Sequence, residues 1–156
     1  MLKRDFLKVL GFAGSIAPLA SIEPAYAAET DADPDALVGL WEAVITGGST
    51  YRYFYAISRG SYVATGSVDE QFQGFKFSPT IGAYARNDDG SFGYLEKGYV
   101  FDLKGVDVGT FVSKGVMRLN AAGDTLHGTG TFRQFDVHSK EIFTEPFTMT
   151  ASRQKI

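Results

Sequence analysis

The chain has 156 residues with 15 Lys/Arg against 18 Asp/Glu, a net charge of −3, which leaves room for one ordinary domain and speaks against nucleic acid as a partner. Apolar residues at 44% and charged residues at 21% mark a chain that folds. The absence of cysteine excludes disulfides, thiolate metal sites and cysteine nucleophiles, and with only His127 and His138 no metal centre or cofactor is expected.

Residues 1–27 read as a secretory signal. Lys3, Arg4 and Lys8 form a basic start, an apolar stretch runs over 9–22, and Ala25-Tyr26-Ala27 supplies small residues for cleavage after Ala27. The stretch is interrupted by Gly11, Gly14 and Pro18 and is shorter than a bilayer span, so stable membrane insertion is not expected after cleavage. The run Lys3-Arg4-Asp5-Phe6-Leu7-Lys8 resembles a twin-arginine signal, Arg-Arg-x-Phe-Leu-Lys, with lysine in the first arginine position. A twin-arginine or general secretory route to the periplasm or exterior of a bacterium is therefore expected. Cleavage removes three basic and two acidic residues, moving the charge from −3 to −4. Residues 28–36 are small, acidic and proline-bearing, a solvated leader.

From residue 37 to 156 the hydrophobic period is two. It predicts strands over 37–46, 51–58, 62–68, 81–86, 91–103, 108–120, 125–136 and 142–153, joined by turns such as Gly47-Gly48-Ser49 and Asn87-Asp88-Asp89-Gly90. Residues 69–79 alternate less cleanly and read as a lid or a short helical turn. About eight antiparallel strands in sequence order predict an all-β, up-and-down barrel, with a flattened sandwich as the structural competitor. The 18 glycines suit tight turns and strand coiling, and 13 Phe, 8 Tyr and 1 Trp fill the barrel or line a cavity.

Gly39-Leu40-Trp41, at the start of the first strand, resembles the Gly-x-Trp signature of lipocalins. Ser78-Pro79-Thr80-Ile81-Gly82 and Asp124-Thr125-Leu126-His127-Gly128 are similar to segments of small secreted bacterial lipocalin-like proteins. The resemblance covers residues 37–156. It implies a lipocalin-like barrel with ligand-binding capacity and no assigned chemistry. It also implies that Trp41 plugs one end and that Arg153, late in the last strand, packs across it, both as structural residues.

Candidate site residues follow from the alternation. Tyr53 and Tyr55 share a face with Ile57 that points inward, either lining a ligand cavity or serving as core phenols with hydrogen-bond partners. Tyr84 and Arg86 share a face. An inward Arg86 would need pairing and would mark a polar site, whereas an outward one is a solvated strand end. His127, Thr129, Thr131 and Arg133 form a polar row that reads as an outer face opposite Leu126, Gly128, Gly130 and Phe132; in a wet barrel it would instead be a binding strip. Asp136 and His138 lie two apart near a turn, a weak acid–base arrangement. Arg133, Tyr84 and the aromatics of 72–77 are candidates for a pocket mouth. Nucleophile elbows, phosphate loops and dinucleotide fingerprints are absent from the sequence. Two functions remain. The first is an exported barrel that binds a small hydrophobic or aromatic molecule. The second is a cofactor-independent isomerase, cyclase or lyase working on such a molecule inside the barrel.

Overall fold

A computed structural model describes residues 36–67 and 74–155. The signal and leader of the sequence reading, apart from Ala36, lie outside the described residues, as does Phe72. The described chain is all β, with strands β1 (Gly39–Thr46), β2 (Thr50–Ser58), β3 (Ser61–Gly66), β4 (Phe75–Phe77), β5 (Thr80–Arg86), β6 (Phe92–Asp102), β7 (Asp107–Leu119), β8 (Thr125–Asp136) and β9 (Glu141–Arg153). Neighbours pair antiparallel in the order β6-β5-β3-β2-β1-β9-β8-β7, and β7 returns to β6, so eight strands close into an up-and-down barrel. Closure, rather than a sandwich, follows from the last strand finding the first: Trp41 stands opposite Arg153 and Thr46 opposite Thr148.

The stretch 69–79 differs from its expectation. Its last part is β4, which adds to β6 on the same side as β5. Pro79 offers no N–H to the ladder, and Ser78 repairs the break. Its N–H donates to the Tyr99 carbonyl at 3.0 Å, and its hydroxyl accepts from the Tyr99 N–H at 2.9 Å. Phe77 faces Val100 while Ile81 faces Lys97, so one extra residue is accommodated there as a bulge. β4 and β5 are thus one strand kinked at Ser78-Pro79.

The barrel has a closed end and an open end. At the closed end Trp41 is wholly buried, and its indole N–H donates to the Leu37 carbonyl at 2.8 Å. The Arg153 guanidinium sits 4.3 Å from the centre of the indole ring. The same guanidinium donates to the carbonyls of Gly123, Val38 and Ala36. One side chain thus ties the chain entry, the β7–β8 turn and the plug together.

Glycine and aromatic residues are paired across strands. Tyr53 faces Gly66, Tyr62 faces Gly82 and Phe111 faces Gly98. A Cβ would stand 2.4 Å from Tyr53 Cζ if placed on Gly66, and 2.1 Å from Tyr62 Cζ if placed on Gly82. Each of these three rings therefore lies over the glycine opposite. That lets large rings fit a narrow interior at native packing density. Gly109 is required for another reason. It has φ +146, and a Cβ there would lie 2.0 Å from the Phe135 carbonyl oxygen, beside a register shift between β6 and β7.

Candidate functional site: an aromatic cavity with a buried glutamate

Period-two alternation sorts the side chains. On β8 it sends Leu126, Gly128, Gly130, Phe132 and Gln134 inward; on β6 it sends Phe92, Tyr94, Glu96, Gly98 and Val100 inward. Rings, Leu126 and methionines fill the closed half around Trp41, where only about 10 Å³ remains between Trp41, Tyr55, Tyr62 and Met149. The open half is different. A cavity of about 60 Å³ lies there, where roughly 10–15 Å³ by a like measure holds one water.

Its walls are aromatic. Phe111 stacks on Phe132 with centroids 5.4 Å apart, Phe77 meets both edge-on, and Phe143 meets Phe132 at 6.2 Å. Tyr51, Tyr53 and Phe147 complete the rings, with Ile45 and Gly47 from the β1 side. The polar lining is Glu96, Ser113 and Glu145.

These groups meet through register, not through nearness in sequence. Tyr62, Gly82, Glu96, Ser113, Phe132 and Glu145 are successive cross-strand partners around the wall from β3 to β9. Glu96 is only 5% exposed. Thr80 Oγ1 lies 3.5 Å from its Oε2. Burial pushes its carboxyl up to about 7, against the hydroxyls of Ser113, Tyr62 and Thr80, which favour the charged form. Burial and the Glu96 charge together raise Tyr55, Tyr62 and Tyr94, so these phenols stay neutral. Glu145 lies at the mouth, where its carboxylate accepts from the Gly48 N–H in the β1–β2 turn. Among the described residues no group of His, Asp and Glu is placed to hold a metal ion.

The residues singled out by sequence are not brought together. Tyr53 lines the cavity, while Tyr55 lies deeper, in the packed half. Tyr84 is turned to the closed end, where its hydroxyl donates to the Ser58 carbonyl at 3.0 Å and its ring meets Phe92 edge-on. Arg86 is exposed at the strand end, 5.7 Å from the centre of the Phe92 ring. His127 is on the outer face, its Nδ1 3.5 Å from Thr150 Oγ1. Arg133 is also outside, paired with Glu141 and over the Phe135 ring at 5.2 Å. Arg86, His127 and Arg133 therefore do not line the cavity, because guanidinium and imidazole groups remain hydrated on the outer face while the small and apolar residues in alternate positions go inside. Asp136 uses its carboxylate to accept from the backbone N–H groups of His138 and Lys140, closing the β8–β9 turn. Of the 72–77 aromatics, Phe77 lines the cavity and Phe75 packs against the same cluster.

Glu96 and Glu145 escaped the sequence reading, yet each carries a signal. Glu96 falls in phase with Phe92, Tyr94 and Val100, and Glu145 with Phe143, Phe147 and Met149. A lone carboxylate on the apolar phase of a strand is the mark of an interior polar group. Comparison of the chain with known protein families and with curated proteins finds no match.

Proposed function

We propose that this chain is an exported barrel that binds one small apolar or aromatic molecule in the cavity at its open end. The observation that carries the reading is that cavity itself: seven aromatic rings, from Tyr51, Tyr53, Phe77, Phe111, Phe132, Phe143 and Phe147, around a few polar groups. Small-molecule sites have this composition, an apolar wall for affinity and sparse polar atoms for orientation. The walls are held by closed strands, so little ordering is needed on binding.

The test is calorimetric titration with single-ring compounds, together with native mass spectrometry of protein purified from its own host. Phe143→Trp, which adds bulk at the mouth, is expected to abolish binding while the melting temperature changes little. Unchanged binding in that variant would place the ligand elsewhere. A second reading, proton transfer on a bound substrate, draws support from Glu96, whose carboxyl near 7 can both give and take a proton at neutral pH. In that case Glu96→Gln would retain substrate and lose turnover. The export half of the proposal rests on residues 1–27 and is tested by N-terminal sequencing of the protein from cell fractions.

A further inference from the structure

We infer that the molecule held in this cavity is an organic cation: a protonated amine carried on an aromatic or compact apolar body, with the ammonium group against Glu96. This rests on the binding role proposed above and adds the chemical class of the ligand.

Three observations converge. First, both charged groups lining the cavity, Glu96 and Glu145, are carboxylates, and no Lys, Arg or His lines it among the described residues. Second, the wall presents ring faces and edges, and a cation over an aromatic face is attracted by the ring quadrupole, most strongly where water is excluded. Third, Glu96 is buried, and the groups that hydrogen-bond its carboxyl, from Tyr62, Thr80 and Ser113, are hydroxyls. A carboxylate taken out of water without a cation is a costly arrangement, and among the described residues no cationic side chain lines the cavity to offset it.

The groups around Glu96 leave a cation as the natural complement. Tyr55 on β2, Tyr62 on β3 and Tyr94 on β6 are neutral phenols; Thr80 on β5 and Ser113 on β7 are hydroxyls. β8 contributes Phe132, β1 contributes Ile45, and β9 contributes the second carboxylate, Glu145, at the entrance. An anionic ligand would meet two carboxylates and no positive group. A neutral hydrogen-bond acceptor is the remaining competitor, served by the protonated form of Glu96.

Three matched probes separate these: 2-phenylethylamine, 2-phenylethanol and 3-phenylpropionate, titrated calorimetrically into the purified protein at pH 5.5, 7 and 8. At pH 8 the ammonium compound is expected to bind about 10- to 100-fold more tightly than the alcohol, the range of a charge-assisted hydrogen bond in a desolvated site. Its affinity is expected to fall by up to roughly thirtyfold between pH 8 and pH 5.5, as the carboxylate takes up a proton. The alcohol is expected to show no such fall, and the carboxylate probe no binding. Glu96→Gln is expected to erase the preference for the amine and to keep the alcohol, with unchanged far-ultraviolet circular dichroism as the check on folding. Equal or tighter binding of the alcohol, or a Glu96→Gln variant that still prefers the amine, would overturn the cation while leaving the binding role standing. Failure of all three probes would overturn the binding role itself.

Discussion

Glu96 offers a test of the barrel's interior that needs no ligand. In the unfolded chain its carboxyl titrates at the ordinary value of 4.5, and in the folded barrel burial moves it to about 7. Between those values the folded protein holds a proton that the unfolded chain has released, so rising pH removes stability. The loss is complete once the pH has passed the folded value. A separation of about 2.5 units corresponds to about 3 kcal/mol at 1.36 kcal/mol per unit, of which about 2–3 kcal/mol falls between pH 5 and pH 8.5. Glu96→Gln keeps the shape and hydrogen-bonding capacity of the neutral acid and cannot ionise. Urea unfolding followed by the fluorescence of Trp41, the single tryptophan, should therefore show the two proteins close in stability near pH 5. The variant should gain about 2–3 kcal/mol on wild type by pH 8.5. The surface carboxylates Asp89, Asp124 and Asp136, which are lowered by hydrogen bonds, act at more acidic pH and are common to both proteins, so they cancel in the difference. A difference flat to within about 0.5 kcal/mol across that window would refute the argument, because it would mean that the carboxyl ionises as freely folded as unfolded.

Trp41→Ala is expected to cost about 3–5 kcal/mol in urea unfolding, the range for deleting a wholly buried large side chain. Arg153→Lys keeps the charge but cannot reach three carbonyls at once, and a loss of about 1–3 kcal/mol is expected by the same measurement. Gly82→Ala places a methyl group into the Tyr62 ring and should cost about 1–3 kcal/mol, most of which Tyr62→Ala in the same chain should remove. A double-mutant cycle with no coupling would dissolve the glycine–ring pairing. Arg133→Ala, outside the barrel in an exposed ion pair, should change stability by less than about 1 kcal/mol and leave binding of single-ring compounds unchanged.

The sequence by itself determined the strands and the class of the fold. Seven of the predicted strands reappear within a residue or two of their expected ends, and β8 (Thr125–Asp136) keeps both of its ends. That success has a local cause: a strand with one face in an apolar interior must alternate, and turns between such strands demand Gly, Asn and Asp. The unevenness of 69–79 was also legible, but the kinked strand at Ser78-Pro79 was not, because the repair of the ladder depends on Tyr99, 21 residues away. Closure lay in the pairing of β1 with β9, which no local pattern specifies.

The site is where tertiary structure decided. Alternation placed His127 and Arg133 on one phase of β8, and only the barrel fixed that phase as the outside. The same phase rule held Glu96 inside, although a single charged residue among Phe92, Tyr94 and Val100 looks, in one dimension, like an interruption of an apolar row. Register then aligned Glu96 with Ser113, Phe132 and Glu145 from three other strands, turning scattered residues into one wall. Composition announced an excess of glycine and aromatic residues, and cross-strand partners account for part of it: Tyr53, Tyr62 and Phe111 each lie over the glycine opposite, Gly66, Gly82 and Gly98. Which rings pack solid around Trp41 and which leave space around Glu96 is a matter of three-dimensional packing, set by where large and absent side chains meet across strands distant in sequence.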